Sequence, residues 1–557
     1  MNYVTLKKYP AMIRFFLSAI FLIPVCCFSQ YTTFQQVLNF NSSSTEGDII
    51  ISTSDGGYAL SGVANIGGNA EAFLSKYNSS GENEWTKIYY DQQSHLLLNG
   101  VDDTEIICNQ YVRFLAEFDD GYVLGGGIDS AVFITYSNGV TVGSDYNRMY
   151  AIHTDANGNL LWAKKFIAND NTFGEDAMST ADGSLLLGGS VTQPGFVLRD
   201  IALWKLNADG DVLWAQSYGG SFDEGVAHVI ETSPSQWMVC GVSESFSNNQ
   251  NIYIISTDSD GQLNWSNVYG TTGFDYGKGI VKMNDGYYVF GNAGNGSPSY
   301  IALMKIDTTG ILQWANTYGN FLFDSPTDLF ATPNGNLIML ADHNVMSHDA
   351  LACEVDADGN LMDSRIFGNT NANKNDFITS LIPSGIGFLT AGYTNSFSGN
   401  QFFYQAYLIK THDGLESDCF SESISYAPTA LTLTTSSAAT AVATLNATGH
   451  EMFVTVLDSS LIADTLCFSV ASNVTTPEEQ TSLFIFPNPA DDEMIIKSSL
   501  PVVQVNCFNQ LGEMIFSEDE KYASEIQLHT SDLCGGIYFL EIITAREISY
   551  HKIIVVH

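Results

Sequence analysis

Seven aspartates recur where one apolar run of this chain hands over to the next: Asp48, Asp103, Asp176, Asp223, Asp275, Asp324 and Asp376. Carboxylates gathered into one ring could hold Ca²⁺ or another hard cation, because such ions prefer several oxygen ligands at once. The competing use is local, since an Asp at a turn also accepts hydrogen bonds from nearby backbone N–H groups. The local use is favoured here, with the ring kept as the alternative. The loops Asp155-Ala-Asn-Gly-Asn159 and Asp356-Ala-Asp-Gly-Asn360 also carry oxygen ligands. A calcium loop of that kind needs Gly at its sixth position and a bidentate Glu at its twelfth. Here Gly stands fourth and strand residues follow, so both read as hairpin turns. No Ser/His/Asp set or metal-spaced His cluster stands out, so no catalytic residue is named. Asp129, Asp145 and Arg148 lie in an insertion, Ile128 to Tyr150. Irregular insertions on regular scaffolds often carry function, and acids unique to one or two blades are what a polysaccharide hydrolase or lyase would need.

These residues are positioned by a repeat. Ile201 to Gly219 reads as a hairpin, with apolar strands at Ile201–Leu206 and Val212–Tyr218 joined by Asn207-Ala-Asp-Gly210. Asp-Gly between apolar runs is a strong hairpin signal, because Gly takes positive φ without steric cost. The pattern Asp-x-x-Gly-x-x-x-Trp returns at Trp162, Trp265 and Trp314, with Asn207 in the Asp place before Trp214 and Asp363 at the next Trp position. These markers are 52, 51, 49 and 49 residues apart, and an earlier one, Trp85, lies 77 before Trp162. A second marker runs in phase, ending at Gly62, Gly126, Gly188, Gly241, Gly291, Leu340 and Gly392. Seven repeats of about 50 residues with four short strands each predict a seven-bladed β-propeller over 30–418. The seventh repeat lacks a Trp strand after Asp413-Gly414, and Tyr31–Phe40 is an unassigned strand at the other end. Phe34 precedes Asp48 by 14 residues, as Trp162 precedes Asp176. The N-terminal strand is therefore expected to close the last blade, which removes two open edges.

The Trp pattern resembles two enzyme-propeller signatures. One is the Asp-box of sialidases, but the spacing here is longer by one residue on both sides of the Gly. The arginine triad those enzymes use is also missing: Arg113, Arg148, Arg199 and Arg365 occupy unmatched repeat positions. The other is the tryptophan-docking motif of quinoproteins, which matches in its Gly-to-Trp step and is one residue short before it. No cofactor constellation accompanies either resemblance. The Trp is read as an apolar plate packing blade on blade.

Around this core the chain reads as exported. Residues 1–29 form a signal peptide, with Lys7, Lys8 and Arg14 before an apolar run, Phe15–Val25, too short to span a bilayer. Cys26 and Cys27 raise a lipoprotein alternative, but Val25 or Cys26 stands where a small residue is expected before the modified Cys. With 61 acids against 21 bases the net charge is −40, which argues against nucleic acid or anionic membrane as partner. No transmembrane span is expected in the mature chain. Cys108, Cys240 and Cys353 sit in strand-like runs and read as small core residues. Cys419 and Cys467 could pair in an oxidising compartment. Residues 419–480 are rich in Thr, Ala and Ser and predict a small β segment followed by a linker.

The last stretch, 481–557, alternates strands with tight turns at Leu511-Gly512 and Gly535-Gly536, and predicts a small β-sandwich of Ig-like type. It resembles the type A C-terminal sorting domain of the type IX secretion system of Bacteroidota. The resemblance rests on Pro487-Asn488-Pro489, on Gly512, on Leu533, Gly536 and Tyr538 in a Leu-x-x-Gly-x-Tyr pattern, and on the late Lys552. It implies export to the periplasm, recognition by the type IX machinery, and release or attachment at the cell surface. The cargo reading is then a secreted or surface-attached propeller that binds an extracellular glycan or protein. A polysaccharide hydrolase or lyase and a purely structural surface component are the alternatives. No cofactor is expected beyond the Ca²⁺ candidate. Deletion of residues 31–40 is expected to lower the melting temperature by at least about 5 °C; an unchanged melting temperature would refute closure by this strand.

Overall fold

The computed structural model describes residues 31–556 apart from short internal stretches, the longest of them 92–97 and 472–482. Two compact units meet between Ser472 and Asn473. The described secondary structure is all β, and no described helix is long and apolar enough to cross a membrane.

The first unit is a seven-bladed propeller. Blades 1 to 6 span Thr45–Asp91, Asp103–Ile167, Thr172–Gly219, Glu224–Gly270, Tyr276–Tyr318 and Ser325–Phe367, each with four antiparallel strands counted outward from the axis. Blade 7 takes three strands from Asp376–Ser384, Gly387–Thr394 and Gln405–Lys410. Its fourth is Tyr31–Asn39, antiparallel to Gln405–Lys410 with Val37 opposite Tyr407. The insertion of blade 2 lengthens that sheet, with strands Gly121–Thr135 and Thr141–Asp155 running side by side.

Two repeated devices hold neighbouring blades. In blades 1 to 5 the Trp of the outer strand lies against the turn glycine of the next blade. A Cβ on Gly158, Gly210, Gly261, Gly310 or Gly359 would come 2.6 to 2.9 Å from the ring of Trp85, Trp162, Trp214, Trp265 or Trp314. These glycines also have φ between +73° and +83°, where a side chain is strained. Four residues after the Trp, the hydroxyls of Tyr89, Tyr218, Tyr269 and Tyr318 donate to the carbonyls of Gly158, Gly261, Gly310 and Gly359. Blade 2 has Phe166 there, and Trp162 Nε1 instead donates to Ala208 O at 2.8 Å. The turn acids are used locally: Asp155 Oδ1 accepts from the N–H groups of Asn157 and Asn159, and Asp356 Oδ1 from those of Asp358 and Asn360.

The expected small β segment is β, but it forms no sheet of its own. Its strands begin at 421, 429, 434, 441, 448, 454 and 462, and each adds to the outer edge of a different blade, in the order 6, 5, 4, 3, 2, 1 and 7. The chain thus circles the rim once, and the propeller unit runs to 472, well past the expected limit at 418. The N–H groups of Ile424, Leu431, Ala438, Leu445 and Met452 donate at 2.8 to 3.0 Å to the carbonyls of Ser364, Ala315, Ser266, Ala215 and Ala163. These donors are seven residues apart, one per blade. Their side chains enter the apolar seams between blades, joined two residues on by Tyr426, Leu433, Ala447 and Val454. Leu461 and Leu466 do the same in the seams on either side of blade 7. The belt exists because seven outer strands would otherwise present unpaired backbone edges.

Cys240 and Cys353 are buried free thiols in the seams, held far toward the protonated form by burial. Cys419 and the side chains of Cys467 and Cys108 lie outside the described residues.

The second unit is a bent sandwich. The long strand Glu493–Phe508 pairs with Met514–His529 along its length. Its first half also pairs with Leu483–Phe486 and its second with Gly536–Thr544, beyond which lies Ile548–Val555. The bend between Lys497 and Val502 folds the halves together over Met494, Ile496, Ile526, Leu528, Leu540 and Ile542.

Leu433→Ala and Met452→Ala are each expected to cost about 2–4 kcal/mol of unfolding free energy, read by denaturant titration. Losses below about 0.5 kcal/mol, the scale of ordinary surface substitutions, would mean that the belt does not stabilise the ring.

Candidate functional site: the axial channel

The inner strand of every blade carries a β-bulge at the same place. The extra residues are Asp48, Arg113, Glu175, Ala227, Lys278, Thr327 and Thr379. A bulge places two residues opposite one and re-aims a side chain. Here all seven line a channel of about 510 Å³ on the propeller axis. The facing glycine of the second strand is what admits the bulge. A Cβ on Gly62, Gly189, Gly241, Gly291 or Gly392 would fall 1.8 to 2.0 Å from the carbonyl oxygen of Glu46, Phe173, Gly225, Tyr276 or Phe377. Blade 6 makes its bulge with Ala341 opposite Pro326.

The residues after the bulges add Asp176, His228, Asp328 and Ser380 to the wall. Asp176 is anchored by the N–H groups of Ala177 at 2.8 Å and of Val229, in the next blade, at 2.7 Å. Asp328 accepts from Leu329 N at 2.8 Å. His228 Nδ1 lies 3.0 Å from the Ile280 carbonyl and 3.3 Å from the Ile280 N, and its Nε2 is 3.8 Å from Asp176 Oδ2.

Four carboxylates thus share the channel with Arg113, Lys278 and His228. They are part-exposed to the channel, yet protein surrounds them, and that burial is the largest influence on their protonation. It raises Asp48, which Glu46 pushes further and Arg113 opposes. It raises Glu175 against the pull of Arg113, and Asp176 against that of His228. Asp328 is lifted from 3.8 to about 6, again by burial and against His228. The arrangement can hold a small polar ligand between charges of both signs. It can also take up protons at mildly acidic pH.

The recurrent aspartates are not brought together as one ring. Asp48 and Asp176 line the channel. Asp275 and Asp376, and Asp324 between them in sequence, are buried at the starts of their blades. Asp275 accepts from Thr271 Oγ1 at 3.0 Å and Gly294 N at 2.9 Å, and Asp376 from Ser396 Oγ at 2.6 Å. Asp324 meets His343 Nδ1 at 2.7 Å. Asp223 accepts from Arg199 N at 2.8 Å, and the side chain of Asp103 is outside the described residues. Among the described residues no three His, Cys, Asp or Glu side chains are placed to share a metal ion. In the blade 2 insertion, Arg148 donates to Asn147 O at 2.8 Å and Asn171 Oδ1 at 3.3 Å; Asp129 is exposed, and the side chain of Asp145 is outside the described residues.

Arg113, Glu175, His228, Lys278 and Asp328 escaped the sequence reading. The available signal was a pair of adjacent polar residues interrupting an alternating strand, as in Glu175-Asp176 and Thr327-Asp328. Such an interruption opposite a small strand residue, glycine or, in blade 6, Ala341, marks a bulge.

In the second unit, Leu533 is buried in the core, Gly536 opens a strand, and Tyr538 packs part-buried against the core. Lys552 pairs with Phe539 through the backbone. Pro487, Asn488, Pro489 and Gly512 lie outside the described residues.

Residues 484–556 match the family described as secretion system C-terminal sorting domain. No curated protein sequence matches the chain. Among solved structures, a polysaccharide lyase of family PL25, an ulvan lyase, is similar at 12% identity over 68% of this chain and 96% of its own, with TM-score 0.40. Sqt1 from Chaetomium thermophilum is similar at 11% identity over 67% and 99%, with TM-score 0.33. The periplasmic gluconolactonase of Pseudomonas aeruginosa is similar at 11% identity over 71% and 99%, with TM-score 0.34. At such scores these likenesses carry no argument about activity.

The raised carboxyl of Asp328 has a defined sign. The folded protein holds this proton over a range, 3.8 to about 6, where the unfolded chain releases it. The buried charge therefore costs nothing below the range and its full cost is present above it. Between pH 3.8 and about 6 the melting temperature of the unmodified protein is expected to fall relative to that of Asp328→Asn, with no further divergence above that range. Parallel pH profiles for the two proteins would rule out Asp328 as a contributor.

Proposed function

We propose that this chain is an exported, non-catalytic binding protein whose propeller holds a polar extracellular ligand, a glycan or an exposed protein segment, at the axial channel. The C-terminal sorting domain implies export out of the cell and interaction with the type IX secretion machinery. Release into the medium and attachment to the outer surface are both compatible with that route.

The observation that carries the binding reading is the contrast between two classes of repeat position. Those that build the ring recur: turn glycine, Trp, Tyr and strand glycine. The position aimed at the axis differs, reading Asp, Arg, Glu, Ala, Lys, Thr and Thr from blade 1 to blade 7. A repeated scaffold with an unrepeated ring suits an asymmetric ligand that meets a different group on each side. A hydrolase or lyase is the second reading. It is favoured by Asp328, with its pKa near 6, beside the Asp176–His228 pair, since a general acid works best with a pKa close to the working pH.

The test is a glycan array probed with the full-length mature chain in EDTA and in millimolar Ca²⁺, alongside Arg113→Ala/Lys278→Ala. Binding in EDTA that falls at least about tenfold in the double variant supports a channel ligand. Binding that ignores the double variant would overturn the channel as its site, and product formation from any bound glycan would favour the enzymatic reading.

A further inference from the structure

The seam between blades 7 and 1 combines two departures from the repeat at one place. At five seams a Trp fills the space over the turn glycine of the next blade, and the seam between blades 6 and 7 has Asp363 in that position. Here Phe34 holds the Trp position, and a Cβ on the turn glycine, Gly81, would meet only the Tyr58 hydroxyl, at 3.6 Å. The vacated space is a cavity of about 440 Å³, lined by Phe34, Tyr58, Ser79, Ser80, Ser384 and Lys410 among others.

The second departure is electrostatic. Blades 1, 3, 5 and 7 end their third strands with a lysine in the same register, Lys76, Lys205, Lys305 and Lys410. Each of the first three meets an acid from the inner turn of its own blade. Lys76 pairs with Asp55 at 2.8 Å, Lys205 with Asp182 at 2.6 Å, and Lys305 with Asp285. Blade 7 has Ser384-Gly385 in that turn and supplies no acid. Among the described residues Lys410 has no ion pair and no side-chain hydrogen bond. It is part-buried, and burial lowers its pKa. A cation withdrawn from water without a partner is costly, and here it faces a cavity with room for one.

We propose that this seam is a binding site for an anionic saccharide, whose carboxylate or sulfate takes on Lys410 the place that Asp55, Asp182 and Asp285 take in the other blades. The serine hydroxyls match the ring hydroxyls of a sugar, and Phe34 and Tyr58 present apolar surface to its C–H face. The site is separate from the channel and does not depend on the channel having a ligand.

The experiment is calorimetric titration of the full-length mature chain with D-glucuronate, glucose 6-sulfate and D-glucose. At least one of the two anions is expected to bind, and whichever is tighter identifies the charged group. D-glucose is expected to bind at least about tenfold more weakly. Lys410→Met should weaken anion binding at least about tenfold, while Lys410→Arg retains most of it. Phe34→Trp restores the plate found at five other seams, so it should abolish binding while raising the melting temperature. Failure of both anions to bind the unmodified protein would overturn the proposal. So would binding unaffected by Lys410→Met and Phe34→Trp, or binding lost in Lys278→Ala yet kept in Lys410→Met, which would put the ligand in the channel.

Discussion

Each blade has two apolar faces and no way to bury both by itself. That constraint organises the propeller. Leu187 and Trp204 of blade 3 pack with Phe118 and Met149 of blade 2, while Leu186 and Leu203, on the opposite face, pack with Val229 and Tyr253 of blade 4. Burial of this kind is worth roughly 25 cal/mol per Å² of apolar surface, and it is complete only when the last blade meets the first. The Trp on the next turn glycine, the Tyr hydroxyl on the next carbonyl, and the belt residues at the rim all act on these same seams. The N-terminal strand belongs to the same solution, because blade 7 would otherwise lack the strand that carries Phe34.

At the axis the constraint reverses. Seven inner strands converge where apolar side chains would crowd, and the bulges open a polar channel. The price is a set of carboxylates surrounded by protein, several of them pushed toward protonation. Backbone N–H groups from the same and the next blade hold Asp176, so the channel wall also contributes to the joining of blades. Carboxylates at the blade entrances, such as Asp275 and Asp376, instead serve their own turns.

The features readable in the sequence were those that repeat with a residue the backbone requires. Turn glycines at positive φ, the Trp that lies on them, and the strand glycines facing a carbonyl recur at nearly constant spacing, so blade number and strand order followed from them. The channel residues were not readable this way, because the bulge leaves their identity free and a one-residue insertion shifts the count. The seven recurrent aspartates are out of register with one another for this reason: the position of Asp275, Asp324 and Asp376 is held by Glu224 in blade 4, one residue past Asp223. The belt was legible in principle. Its apolar residues fall every seven positions from Ile424 to Met452, but a period of seven is ordinarily searched for in helices, and the Thr- and Ser-rich background resembles a linker.

The belt also decides how the propeller would bear mechanical load. The chain leaves the ring after Ala471, at the end of the longest belt strand, which pairs with Tyr31–Asn39 at nine positions. A pull arriving from the C-terminal unit is met first by that pairing, in the blade where both ends of the ring are joined. Only when it yields does the force reach blade 1, then blade 2, and so on round the rim, each held by a shorter segment. Tension is therefore released in steps, with the strongest clasp placed first, as in a hoop whose fastening sits beside its tether.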